Sequence, residues 1–368
     1  MRRLSVTITS LILLVLTIFP VQAWCREPVT PEMTLQMAVE KALKNSDALK
    51  NSKSDIKRAE EVRDFLGDKL DFVPNGPVPS SGVEKTYFGI TQSYITYNMS
   101  KRNYKVTEDT VSISVYQAYN GIIQAREKVS VAELNVKNKD WLRRMAFAGK
   151  RVGTVDSMGI IQAETNYTAA KNSLEAAQKA LDDAYQKFNH LVGLWPEDRP
   201  VLSDTPEITP LNITDLDVEV SRVVDSSPAV WLAEQKVDLS ELTMRLYDFT
   251  ESGRSEPYKA KEIDVEKAEV TAGDTRDQTF KLVRTLYYSA KQLEEQNAAA
   301  LETVRQAEEM LRVAKVKYDV GIATKTDLLN AELALAQIRQ TVLDTAAQHE
   351  VLVYAFYKPW AYAGASGQ

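Results

Sequence analysis

The sequence predicts a mainly α fold built from two copies of a long antiparallel coiled-coil hairpin. Three observations carry this expectation. Apolar residues recur at alternating spacings of three and four over long stretches. The same register returns 168 positions later. All 13 prolines fall outside 80–195 and 258–358, so the two longest stretches carry no helix breaker.

The N-terminus reads as a secretory signal over residues 1–23: Arg2 and Arg3, an apolar run through Leu11 to Phe19, then Val21-Gln22-Ala23. Its removal takes the formal charge from −6 to −8. A net acidic chain is a poor binder of nucleic acid, and none is expected as a partner. Cys25, the only cysteine, excludes an intrachain disulfide and a cysteine-based zinc site. Its place near the mature N-terminus invites a lipid anchor, but bulky Trp24 stands where that processing takes a small residue. Beyond the signal no apolar run reaches the ~18 residues of a spanning helix.

A first repeat is expected over 24–192. It opens with a shorter helix, TLQMAVEKALKNSDALKNSKSDIKRAEEVRDFL. A strand-like insert at 70–99 follows, in which TYFGITQSYITYNM, Thr86 to Met99, is rich in Tyr, Ile and Thr, and LDFV before Pro74 forms a stub. The hairpin proper is expected at 101–192. Its rising helix carries the stripe Val115, Ala118, Ile122, Ala125, Val129, Ala132, Val136 and on to Lys150, and at 1.5 Å per residue spans about 75 Å. Its returning helix runs from about Asp156 to Leu191.

GLWPEDRPVLSDTPEITPLN crowds Pro196, Pro200, Pro206 and Pro210, and marks 193–212 as a non-helical linker. The second repeat, 213–358, opens with ITDLDVEVSRVVDSSPAVWLAEQKVDLSELTMRL. There Ser226-Ser227-Pro228-Ala229 answers Asn45-Ser46-Asp47-Ala48 at an offset of 181, so the first half holds 13 more residues before its hairpin. The insert at 247–276 carries 13 charged residues among 30. The second hairpin, 277–357, repeats the stripe as Val283, Leu286, Ala290, Leu293, Asn297, Ala300, Val304, Ala307, Leu311, Ala314 and Tyr318. It returns from about Thr326 along Ala331, Leu335, Ile338, Val342, Thr345, His349, Leu352 and Phe356. Residues 359–368 are left as a tail.

RVGTVDSMGIIQAE and DVGIATKTDLLNAE sit at the two hairpin tips. Gly153 and Gly321 supply the backbone freedom a helix end uses, with Asp156 or Ser157, and Thr324 or Thr326, as N-caps. Helices so long and rich in Ala bury little area per contact, so lateral partners are required and oligomerisation is expected.

The opening Asn-Ser-x-Ala and Ser-Pro-x-Val helices, and the tip V-G-x-x-x-x-x-D-(L/V)-x-x-A met by Val320, Gly321, Asp327, Leu328 and Ala331, resemble the outer membrane efflux protein (TolC-like) family. The resemblance covers nearly the whole mature chain. It implies a homotrimer in which three pairs of hairpins form a twelve-helix α-helical barrel, each half adding two strands to a shared outer-membrane β-barrel. It further implies a passive exit channel that meets a periplasmic adaptor protein at its tips and, through it, an inner-membrane transporter. On that reading Val152, Gly153, Thr154, Val320, Gly321 and Ile322 are adaptor contacts. Asp327 narrows the entrance with a ring of negative charge, and Asn330 stands where a second acidic ring is expected. Gly159 replaces the aspartate in the first tip, and Ala323 occupies a place where a basic gating partner can occur. From the residues alone, Asp327 equally fits a helix N-terminal acid favoured by the dipole.

The barrel is where the sequence departs from this pattern. A spanning strand needs about 9–11 residues with one apolar face, and the charged second insert has none. Either the β-barrel is reduced, or the chain is a soluble periplasmic relative without a membrane pore.

For catalysis and cofactors the sequence offers no motif. His190 and His349 are the only histidines, both near the end of a returning helix. AGKRVGT lacks the glycine spacing and the Ser or Thr of a phosphate loop. Acidic residues are mixed with Lys and Arg along helix faces, as on solvated surfaces. Tyr119 and Tyr287, equivalent by the repeat, are read as seals of the helix bundle.

Overall fold

The computed structural model describes residues 30–69, 73–74, 76–77, 81–247, 249 and 256–365. The signal-like segment 1–23, Cys25 and residues 70–72 of the LDFV stub lie outside them. Two short opening helices, α1 (Leu35–Asn45) and α2 (Asp47–Gly67), lead into the long helix α3 (Ser81–Arg151) and its return α4 (Ser157–Val192). The order then recurs: α5 (Leu216–Asp225), α6 (Pro228–Arg245), the long α7 (Tyr258–Asp319), the return α8 (Lys325–Tyr357), and last a short α9 (Pro359–Ala365). β1 (Glu32–Met33) and β2 (Val201–Leu202) pair in parallel and tie the start of the first half to the linker.

Each opening helix is divided, where the sequence suggested one. Ser46 breaks the first, its hydroxyl accepting from Leu49 N at 3.3 Å as the N-cap of α2. The second breaks at Ser226 and Ser227, after which Pro228 starts α6 in the position where a missing N–H costs nothing.

The strand-like insert is helical. Thr86 to Met99 belongs to α3, whose 71 residues span about 105 Å rather than 75 Å. β-propensity here yields to packing. Val83 and Tyr87 sit against Leu239, Leu242 and Leu246 of α6 and its end, and Ile90 and Ile95 are buried. The Thr hydroxyls turn back onto their own helix, Thr86 to Gly82 O, Thr91 to Tyr87 O and Thr96 to Gln92 O. Arg63 of α2 lies 4.1 Å from the Tyr97 ring, whose hydroxyl reaches Glu60. In the same way residues 258–276 of the charged insert form the start of α7, their charges on its solvated faces.

Within each hairpin the expected stripes meet: every stripe position on α3 and α7 is buried or half-buried except Lys150 and Tyr318, the last of each. α3 carries a second stripe, Asp109, Ile113, Tyr116 and Asn120, which faces α8. Its partly polar composition hid it from a hydrophobic pattern. Asn120 donates to Glu350 at 2.6 Å, Asn138 to Asn330 at 2.8 Å, and buried Asp109 receives Lys358 and, at 2.9 Å, the Trp360 indole. The tail is therefore an anchored helix.

The four long helices consequently lie side by side in the order α4, α3, α8, α7. α3 and α8 have neighbours on both flanks. Among the described residues α4 and α7 each have one long neighbour only; α4 also meets the short α1, and α7 meets the short α5 and α6.

Candidate functional site: the paired hairpin tips

The two tips share one backbone solution. Gly153 and Gly321 take positive φ, 78° and 79°. In the first tip Thr154 N donates to Gly149 O at 2.9 Å and Gly153 N to Lys150 O at 3.1 Å. In the second, Ile322 N donates to Lys317 O at 2.8 Å and Gly321 N to Tyr318 O at 3.0 Å. These are matching Schellman closures, which satisfy the last carbonyls of α3 and α7.

The caps differ in an informative way. Of the alternatives, Asp156 and Thr324 are the N-caps. Asp156 Oδ1 accepts from Gly159 N at 2.7 Å. At the second tip the acid has moved to the third position of the helix. Thr324 Oγ1 accepts from Asp327 N at 3.2 Å, while Asp327 Oδ2 accepts from Thr324 N and from its hydroxyl, both at 2.8 Å. This is a complete capping box. The Thr324 amide, then its hydroxyl, hold the Asp327 carboxyl below the usual carboxylate range. Asp327 is thus the helix N-terminal acid the sequence allowed, and it remains exposed and ionised.

Side-chain packing inside the two tips is complementary. Val155 is wedged between two glycines: a Cβ on Gly149 would stand 2.6 Å from Val155 Cγ2, and one on Gly159 2.7 Å from Val155 Cγ1. At the equivalent places the second tip has Ala323 between Lys317 and Asp327. One large and two small residues are exchanged for one small and two large. Gly159 and Ala323, read from sequence as departures, are therefore the two halves of one steric exchange. Gly149 was not singled out; comparing the tips position by position would have found it.

The structure places Val152, Val320 and Ile322 at 75%, 63% and 78% exposure, far above what isolated apolar side chains need. Thr154 spends its hydroxyl on Gly149 O at 3.1 Å. Met158, Ile161, Met310 and Val316 extend the exposed apolar surface around the tips, and all four escaped the sequence reading. They lie off the buried stripes, which is the signal they carry. Clustered exposed apolar side chains of this kind mark contact surfaces. Asn330 lies one turn into α8 and receives its bond from buried Asn138, so its carbonyl faces the neighbouring hairpin. Among the described residues no group of three His, Cys, Asp or Glu is placed to hold a metal ion, and no helix is long and apolar enough to cross a membrane.

Comparison with known proteins agrees with this architecture. Residues 239–351 match the family model "Outer membrane efflux protein". No curated protein is matched by sequence. Among solved structures, the outer-membrane channel OprN is 13% identical with a TM-score of 0.66, covering 89% of each chain. The channel CusC is also 13% identical, TM-score 0.66, covering 94% of this chain and 95% of its own. VceC, an outer membrane protein of Vibrio cholerae, is 14% identical, TM-score 0.64, covering 89% of this chain and 96% of its own. At these identities the likeness shows the fold. These findings agree with the resemblance read from the sequence: residues 239–351 are similar to the outer membrane efflux proteins by their family model, and the chain shares the fold of solved outer-membrane channels over about nine-tenths of its length.

Proposed function

We propose that three copies of this chain close into a twelve-helix tube that serves as the passive exit channel of an efflux or type I secretion system. The observation that carries this reading is the pair of single-sided edge helices. α4 and α7 are unlike surfaces, so one copy's α4 meets the next copy's α7, a head-to-tail contact that ends only when a ring closes. The tube would stand in the periplasm with its tips toward the inner membrane. Val152, Gly153, Thr154, Val320, Gly321 and Ile322 would meet a periplasmic adaptor there, and an inner-membrane transporter would supply the energy. Three Asp327 carboxylates around the axis would favour cations at the entrance, with Asn330 one turn deeper.

A soluble periplasmic coiled-coil protein is the second reading, and one observation favours it: residues 86–99, read as strand-like, and residues 258–276 of the charged insert both extend long helices, α3 and α7. The decisive experiment measures the mass of the purified mature protein by light scattering, and its conductance in planar bilayers beside Asp327→Ala. A trimer with cation-preferring steps that change in the variant supports the channel. A stable monomer removes the tube. A trimer without conductance, recovered from the periplasm and released by carbonate, leaves the soluble reading.

A further inference from the structure

Between α3 and α6, well away from the tips, Asn98, Lys101, Arg102, Lys105, Trp231 and Gln235 line a concavity of about 620 Å³. No acid contributes to this lining. Among the described residues Lys101 and Arg102 are engaged by aromatic faces, at 4.3 Å from the Tyr97 ring and 4.4 Å from the Trp231 ring. None of the three cations has an ion-pair partner among the described residues, so their charge is not neutralised by a neighbouring acid side chain. The nearest acid bonded to this lining is Asp238, one turn along α6, which accepts from the Gln235 amide at 2.9 Å and keeps its charge.

That arrangement runs against the balance of the whole chain, whose formal charge is −6. Lys101 and Lys105 stand four apart on one helix, a like-charge spacing that weakens a helix by a few tenths of a kcal/mol. The Arg102 guanidinium lies over the Trp231 ring, and among the described residues its N–H groups donate to no protein acceptor. Trp231 also lies in the first turn of α6, so the positive end of that helix adds to the same potential. Two lysines, an arginine and the Asn98 amide beside an aromatic face are the donor set of a phosphate site, with Arg supplying the paired donors and Lys the point charges, while Gln235 donates to Asp238.

We infer that this pocket binds a phosphate-bearing ligand, either a free phosphate compound or the headgroup of an anionic phospholipid. The inference does not depend on the tube. The test titrates the full-length mature protein with inorganic phosphate and with pyrophosphate, followed by calorimetry. In parallel the protein is floated with phosphatidylcholine vesicles, with and without phosphatidic acid. The expected result is saturable binding that Lys101→Gln/Arg102→Gln/Lys105→Gln weakens at least tenfold. Lys171→Gln/Lys179→Gln, on an exposed face of α4, should leave it unchanged. Binding of the soluble anions alone identifies a free ligand; flotation only with phosphatidic acid identifies a lipid. The inference is overturned if neither probe binds, if the triple variant binds as tightly as the parent, or if a polyglutamate peptide binds where both phosphate probes do not.

Discussion

Tyr119 and Phe188 meet edge to face with ring centroids 6.0 Å apart, and 168 residues on Tyr287 and Phe356 stand at the same separation. The two pairs lock α3 to α4 and α7 to α8 at corresponding levels, as the sequence reading of the tyrosines expected. Their polar ends differ. The Tyr119 hydroxyl donates to Met33 O at 3.1 Å and accepts from Asp204 N at 3.0 Å, whereas the Tyr287 hydroxyl has no protein hydrogen bond among the described residues. Tyr119→Phe should therefore lower unfolding free energy by about 1–3 kcal/mol and Tyr287→Phe by much less, measured by denaturant titration.

Val155 has three staggered positions for two methyls, and Gly149 and Gly159 keep two of them open. Gly149→Ala/Gly159→Ala should destabilise the first tip, seen as faster amide exchange at 150–160. Adding Val155→Ala reproduces the small central residue of the second tip and should restore protection. If the triple variant exchanges as fast as the double, the steric exchange between the tips is not what holds them.

A side chain at Gly153 or Gly321 meets open space, so only the left-handed backbone opposes it. Gly321→Ala should cost about 1–2 kcal/mol and Gly321→Asn less, since Asn tolerates that region. Thermal melts of the two variants decide this.

Asp327 has a folded pKa below its ordinary value, so its capping contribution is present at neutral pH and lost only as pH falls through and below the usual carboxylate range. Asp327→Asn should lower the melting temperature at pH 7 and leave it nearly unchanged near pH 2. An equal deficit at both values would show that the charge does not matter.

Asp109 joins the first half to the end of the chain. Asp109→Ala strands the Trp360 indole N–H beside α3 and should cost about 1–3 kcal/mol, with Trp360 fluorescence shifted toward that of an exposed indole. Asp109→Asn, which keeps an acceptor, should recover most of it.

The hairpins, their tips and the glycine turns were legible because helix periodicity and chain reversal are local properties of sequence. The contact between halves was not, because Asp109, Asn120 and Asn138 are polar and reveal a buried face only when their partners 230 or more residues away, or Asn330, are known. Thr86 to Met99 misled for a different reason. Its residues favour strands in isolation, and the faces of α2 and α6 that hold it as a helix come from elsewhere in the chain. At the site, Asp327 and the exposed valines could be read from the repeat, while the Val155 wedge needed the distances.

The bounds of the long helices have a further consequence. Thirteen residues separate Gly67 from Ser81, and twelve separate Arg245 from Tyr258. Two bilayer-crossing strands with a turn need about 20 residues, more than either connection holds. A crossing would have to draw residues from the helix ends that bound these connections, and unwinding the start of α3 would expose Ile90 and Ile95. Membrane entry and helix length thus compete for the same residues, so in the proposed tube lipid thickness would set how tall the helical part can stand.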